Sequence, residues 1–165
     1  MKLKLGISPC PNDTFMFARF IEAAGLNLDV YIEDIETLNQ MAAEGYLDIT
    51  KLSYHAFAKY IDTYELLHAG GALGENCGPL LVSKHKAYPD ELADMTIAIP
   101  GKLTTAYLLM QIFFPEVKAV QSYVFSDIEE AVLSNACDAG LLIHETRFTY
   151  HTKGLKKILD LGKLW

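Results

Sequence analysis

Lys2-Leu3-Lys4-Leu5-Gly6-Ile7-Ser8 runs directly into Pro9-Cys10-Pro11-Asn12-Asp13-Thr14-Phe15, and this junction decides the fold class. The residues up to Ser8 alternate polar and apolar as a β-strand does. From Asn12 the pattern turns helical and continues to a stop at Gly25. Working outward, the same rhythm repeats. Leu28–Asp34 is predicted as a second strand, and Ile35–Gly45 as a helix with Leu38, Met41 and Ala42 on one face. Asp48–Ser53 is predicted as a third strand. Tyr54–Ala69 follows as a helix carrying Phe57, Ile61, Tyr64 and Leu67 at helical spacing. Three strand–helix pairs in succession imply an α/β fold with a mainly parallel sheet and helical crossovers.

The rhythm breaks at the glycine-rich loop from Gly70 to Pro79. After it come the strand Leu80–Ser83, a polar stretch over Lys84–Asp94 and the strand Met95–Pro100. Alternation then resumes with helix Thr104–Phe114, strand Val117–Phe125, helix Asp127–Ala136 and the apolar strand Ala139–Ile143. The expected organisation is a first α/β lobe over 1–80, a crossing or hinge region over 81–95, and a second lobe over 96–165. Leu155–Trp165 reads as an apolar strand-like segment with no helix to cover it. It suggests a fragment without a return to the first lobe, and poor stability of the chain on its own.

Composition narrows the function classes. Of 165 residues, 51 % are hydrophobic and 21 % charged, which is the balance of a globular chain. The net charge of −7 argues against a nucleic-acid partner, which needs a basic face. A small anion remains compatible, because helix starts and one lysine can hold it inside an acidic protein. No apolar run is long enough to span a bilayer. Cys10, Cys77 and Cys137 are odd in number and irregularly spaced, so a reducing, cytoplasmic setting is expected rather than a disulfide framework. The absence of a signal-peptide pattern before the first strand gives the same expectation. No zinc-binding spacing, dinucleotide fingerprint or P-loop occurs; neither metal nor organic cofactor is expected.

Ligands of open parallel sheets bind beyond the carboxyl ends of the strands. Four predicted strands end in hydrogen-bonding groups: Ser8 with Asn12, Asp13 and Thr14; Thr50 and Lys51 with Leu52 and Ser53; Pro100-Gly101-Lys102 with Thr104 and Thr105; and His144-Glu145. Each also has a plain structural reading. Asn12, Asp13, Thr14, Ser53, Thr104 and Thr105 are good helix caps, and Lys51 could be an ordinary surface lysine. His144 follows Ala139–Ile143 and is either a satisfied core residue or a proton acceptor at a strand end. Cys10 reads as a structural thiol.

Longer motifs add a resemblance. Ser8-Pro9-Cys10-Pro11-Asn12-Asp13-Thr14-Phe15 resembles the opening signature of the 1,4-dihydroxy-6-naphthoate synthase family of the futalosine route to menaquinone. In order along the chain, Glu33–Asn39, Thr50–Tyr54, Gly70–Gly74, Pro100–Tyr107 and His144–Tyr150 agree. The resemblance implies a two-lobed fold like type II periplasmic binding proteins, with a ligand cleft between lobes. It implies a carbon–carbon lyase that fragments cyclic dehypoxanthine futalosine, a small carboxylate, and releases dihydroxyacetone. It also implies His144 as proton acceptor, with Lys51, Leu52, Ser53, Thr105 and Ala106, joined by Asn12 and Thr104, holding the substrate. Tyr107, Arg147 and Tyr150 are expected to line or support the cleft. The alternatives are chorismate dehydratase of the same pathway and a non-catalytic small-anion-binding protein of the same fold. Oligomeric state is not legible.

Overall fold

A computed structural model describes residues 2–23, 25–74 and 77–165. Ala24 of the first predicted helix and Glu75 and Asn76 of the glycine-rich loop lie outside the described residues. The chain divides into two compact units, one of residues 1–73 with 103–105, the other of residues 74–102 with 106–165.

The first unit is built on β1 (Leu3–Ile7), the middle strand of a three-stranded sheet. β2 (Leu28–Ile32) and β3 (Ile49–Thr50) pair parallel to it on either side, as the strand–helix alternation requires. Leu5 and Ile7 are buried because a central strand is covered while its edges are not. Helix α1 (Pro11–Ala23) links β1 to β2, and α2 (Ile35–Ala43) links β2 to β3. Asp34 caps α2, accepting from the Glu36 and Thr37 amides at 3.0 and 3.3 Å. Gly6 lets α2 close on the sheet. A Cβ there would lie 2.8 Å from Leu38 Cδ2 and 2.6 Å from Leu47 Cδ1, far inside contact distance.

Helix α3 (Tyr54–Lys59) is much shorter than predicted. The apolar spacing of Tyr54–Ala69 finds no layer to pack on, since Ile61 and Leu67 are exposed at 62 % and 65 %. The chain instead turns over Tyr60–Tyr64, and the Tyr64 hydroxyl donates to the Leu47 carbonyl at 2.7 Å. Periodicity without burial does not sustain a helix.

The second unit carries a five-stranded sheet in the order β6-β5-β7-β4-β8. β4 is Leu80–Ser83, β5 Ile97–Ile99, β6 Val120–Ser122, β7 Ala139–Leu142 and β8 Lys156–Asp160. β5 runs parallel to β6 and β7, and β4 is antiparallel to β7 and β8. Residues 80–83, where the expected first lobe ends and the expected crossing region begins, therefore form an inner strand of this sheet. Helix α4 (Thr105–Phe113) supplies Ala106 and Met110 to one apolar face with Leu81, Ile97, Ile99 and Leu141. Helix α5 (Ile128–Leu133) covers the other, with Leu80, Val82, Ala98 and Leu142. Two short helices follow, α6 (Thr146–Thr149) and α7 (Leu161–Leu164).

The C-terminal segment departs from expectation. Leu155 and Leu161 are buried, and β8 pairs along β4. The segment has a partner layer, and only its tip, with Trp165 at 81 % exposed, lacks cover. The apolar run was read without the strand that receives it, which lies about 75 residues earlier in the chain. Among the described residues no helix is long and apolar enough to cross a membrane.

Candidate functional site

At the end of β1 the chain turns so that Asp13 falls in the first turn of α1 rather than at its cap. Its carboxylate is buried, and Oδ2 accepts from both the amide and the hydroxyl of Ser8, at 3.1 and 2.7 Å. The other oxygen lies 3.3 Å from Lys51 Nζ. Lys51 also donates to the Gly70 carbonyl at 3.0 Å, and its side chain is 17 % exposed. Lys51 is thus no loose surface lysine. Its backbone amide extends the β3 pairing by bonding Gly6 O at 2.9 Å, which aims the side chain back over the start of α1. Asn12 is exposed beside this pair, Thr14 bonds back to the Cys10 and Pro11 carbonyls, and Leu52 is half-buried. An ammonium and a carboxylate this deep are held only by each other and by hydrogen bonds.

Ser53 stands at the N-cap of α3, yet its side chain makes no cap hydrogen bond. It is gripped by Asn39 of α2, fully buried, whose Oδ1 accepts the Ser53 amide at 3.0 Å and whose Nδ2 donates to Ser53 Oγ at 3.1 Å. One turn earlier on the same helix face, Glu36 accepts from Asn39 Nδ2 at 3.4 Å. Both its carboxylate oxygens receive the Leu103 amide, at 3.2 and 3.1 Å. The His55 amide donates to Thr105 Oγ1 at 3.4 Å, and His55 Nδ1 lies 3.3 Å from the Thr104 carbonyl. The polar face of α2 and the start of α3 therefore bring Ser53, Thr104 and Thr105 together inside the first unit. Ala106 differs: its methyl is in the second unit's core.

Asn39, Glu36 and His55 were missed as individual residues by sequence reasoning. The signal available was the spacing of Glu36 and Asn39 at i and i+3, which places two polar groups on one helix face.

His144 lies two residues past the end of β7 in the second unit and is half-buried. Its φ of +58° puts it in the left-handed region, where histidine is found more often than most residues but still rarely. Such a conformation costs on the order of 1–3 kcal/mol and persists only where surroundings enforce it. Its ring packs edge-on against Phe125, with centroids 4.8 Å apart. Thr146 Oγ1 donates to the Ile143 carbonyl at 2.7 Å, and Arg147 N to the His144 carbonyl at 3.4 Å. Tyr107 packs against the Leu81–Leu141 side of the core, and Tyr150 against the Leu80–Leu142 side. Arg147 pairs with Asp160.

Among the described residues no group of three His, Cys, Asp or Glu is placed to hold a metal ion. A cavity of about 190 Å³ in the second unit, bordered by Lys84, His85, Glu91 and Asp138, is lined by none of the candidate site residues.

The architecture of mainly parallel sheets with covering helices matches the fold of solute-binding proteins. The chain superposes on the alkanesulfonate-binding protein of Xanthomonas axonopodis pv. citri with a TM-score of 0.76 at 12 % identity, over 99 % of this chain and 62 % of that one. This likeness shows a periplasmic-binding-protein-like fold. The particular family follows from sequence: residues 3–165 match the family model described as menaquinone biosynthesis, and the chain belongs to that family. It is similar to the 1,4-dihydroxy-6-naphthoate synthases of Thermus thermophilus, at 42 % identity, and of Streptomyces coelicolor, at 39 %. Each alignment covers 99 % of this chain and 60 % of the relative. A crystal structure of an Archaeoglobus fulgidus protein is similar at 38 % identity and a TM-score of 0.87, over 99 % of this chain and 62 % of that one. The chain thus spans about three-fifths of the length of the curated relatives it matches.

Proposed function

We propose that this chain carries the reacting part of a cytoplasmic lyase that converts cyclic dehypoxanthine futalosine into 1,4-dihydroxy-6-naphthoate and dihydroxyacetone. The observation that carries this reading is the similarity to two curated synthases across 99 % of the chain. His144, just past a strand end with its backbone in the left-handed region, acts as the proton acceptor.

Removal of a proton by the imidazole leaves an electron pair on the substrate. That pair moves as the carbon–carbon bond to the three-carbon unit breaks, in the manner of a retro-aldol cleavage. The three-carbon unit leaves as dihydroxyacetone after taking up a proton, and the remaining ring system becomes aromatic, which drives the reaction forward. Histidine, with an ordinary pKa near 6.5, has the basicity for this step at neutral pH. Lys51 meets the substrate carboxylate while keeping Asp13 as its second partner. Ser53, Thr104 and Thr105 offer hydroxyls, Ala106 its amide, and Asn12 its exposed side chain, with Leu52 providing apolar contact. No step calls for a metal or an organic cofactor.

The test is turnover of cyclic dehypoxanthine futalosine by the complete protein, followed by chromatographic detection of both products. His144→Asn is the decisive variant, because asparagine tolerates a left-handed backbone and has no nitrogen that titrates near neutrality. Turnover should fall by roughly 10²–10⁴, the usual contribution of a positioned general base, with the unfolding midpoint unchanged. Near wild-type turnover in His144→Asn would remove His144 from the role. Dehydration of chorismate in place of futalosine cleavage would replace the reaction itself.

A further inference from the structure

We propose that Arg147 and Asp160 are positioning residues for His144: their ion pair ties down the turn that holds the imidazole in its left-handed backbone conformation. The inference rests on the reading of His144 as the proton acceptor.

The left-handed residue needs something to enforce it. α6 is only four residues long, and the Arg147 amide reaches the His144 carbonyl at a long 3.4 Å. The Thr146 hydroxyl fixes Ile143, before the histidine. After it, the Phe148 amide bonds the Glu145 carbonyl at 2.9 Å, and the Arg147 side chain ties this turn to a strand distant in sequence. Arg147 Nη2 lies 3.1 Å from Asp160 Oδ2, with the two side chains only 11 % and 7 % exposed. A guanidinium–carboxylate contact shielded from water is directional and strong.

Asp160 is a firm anchor for three reasons. It is the last residue of β8, paired in register with Leu80 of β4. Its second oxygen caps α7 by accepting the Gly162 amide at 3.0 Å, and the next amide, of Leu161, bonds the Pro79 carbonyl at 2.9 Å. Beyond it Gly162 presses on Gly78 so closely that a Cβ on Gly78 would lie 2.3 Å from the Gly162 Cα. The carboxylate is thus mounted where two strands and a backbone crossing leave no slack. Arg147 lies three residues past His144, so a fixed guanidinium restricts the whole turn. Phe125 packs on the ring itself.

Phe125 also supplies a readout separate from activity, because a ring packed edge-on at this distance displaces the proton resonances of its neighbour. In the complete protein, the His144 ring signals are assigned by their loss in His144→Gln. In Arg147→Met and Asp160→Asn these signals should move toward the positions of free histidine. With the reading of His144 as base in force, kcat should drop by about 10–100-fold, the cost of a misplaced reacting group, while KM changes by less than about threefold. Arg147→Lys, which keeps the charge, should recover most of both. Should Arg147→Met fail to fold, Asp160→Asn and Arg147→Lys decide the matter by the same signals. Unmoved ring resonances in a folded variant overturn the tether, as does a kcat that holds while the resonances move. Full turnover by His144→Gln overturns the reading of the base instead, and the ring signals then judge the tether alone.

Discussion

In the first unit the buried apolar residues are Leu5, Ile7, Leu38, Ala42, Leu47 and Ala56. In the second, both faces of a five-stranded sheet are packed, with Leu81, Ile97, Ile99, Met110 and Leu141 on one side and Leu80, Val82, Ile128, Val132 and Leu142 on the other. The exposed large apolar residues show the converse bias. Phe15, Ile32, Ile61, Leu66, Leu67 and Leu73 all belong to the first unit. Where apolar burial is slight, local order has to come from polar pairs, and the first unit has them in Asp13–Lys51 and Asn39–Ser53. The second unit has apolar packing to spare, and it can hold a residue such as His144 in an unfavourable backbone conformation. The lesson is that the two groups of candidate site residues are supported by different forces and should fail differently.

The largest expected effect follows from the Asp13–Lys51 pair. Lys51→Ala leaves a buried carboxylate with Ser8 as its only remaining partner among the described residues, and breaking such a pair costs about 3 kcal/mol. Chemical denaturation of the complete protein should show that loss. Asp13→Asn with Lys51→Met, which removes both charges at similar volume, should recover most of it. If Lys51→Ala changes ligand affinity but not stability, the first unit does not depend on its polar pairs, and the contrast between the units collapses.

Asn39→Ala should cost somewhat less, about 1–3 kcal/mol, since it strands the Ser53 amide and hydroxyl without their buried partner. Asn39→Asp sharpens the point. It keeps the acceptor for the Ser53 amide but replaces the donated hydrogen bond to Glu36 with repulsion between two carboxylates. Amide exchange should report the damage at Ser53 and Leu103, leaving β4, β5 and β7 untouched. Exchange spreading evenly through both units would mean that they unfold as one body, and the comparison would lose its energetic meaning.

How far this was legible in the sequence depends on whether a contact is local. β1, α1, β2 and α2 were readable because each is encoded by its own periodicity and by nearby stops such as Gly25. The strand-end rule and the long motifs together picked out Lys51, Ser53, Thr104, Thr105 and His144 as candidates. What could not be read depended on distant partners. Asp13 looks like a helix cap until Lys51 is seen beside it, 38 positions later in the chain. Asn39 looks like one polar residue of an amphipathic helix until Ser53 arrives. The Tyr54–Ala69 helix failed for the same reason, its apolar spacing being a promise of burial that no other element meets. β8 was misjudged because β4 lies far earlier, and Arg147 could be given only a supporting role because Asp160 belongs to β8.

The smallest expected effect concerns alkaline pH and tests the first unit at its loosest point. Tyr64 anchors the turn after α3 through its hydrogen bond to Leu47. Burial, and after it the negative charge of Asp48, push its phenol above the ordinary tyrosine value of 10.0. The sign follows from proton counting. Below about pH 10 both folded and unfolded Tyr64 keep the proton, so the contribution to stability is complete and independent of pH. As pH rises past that value, the unfolded side chain ionises while the folded one still holds its proton. The unfolded state then gains, and stability falls until the folded phenol ionises as well. Unfolding midpoints measured from pH 8 to 11 should therefore decline at the alkaline end in the wild type. Tyr64→Phe should lower the midpoint at pH 8 and flatten part of the decline, because the phenol and its hydrogen bond are both gone. Tyr31, also in the first unit, is raised by its hydrogen bond to Tyr46, so some slope should survive in Tyr64→Phe. An unaltered slope in that variant would show that the turn over Tyr60–Tyr64 opens independently of the first unit's core.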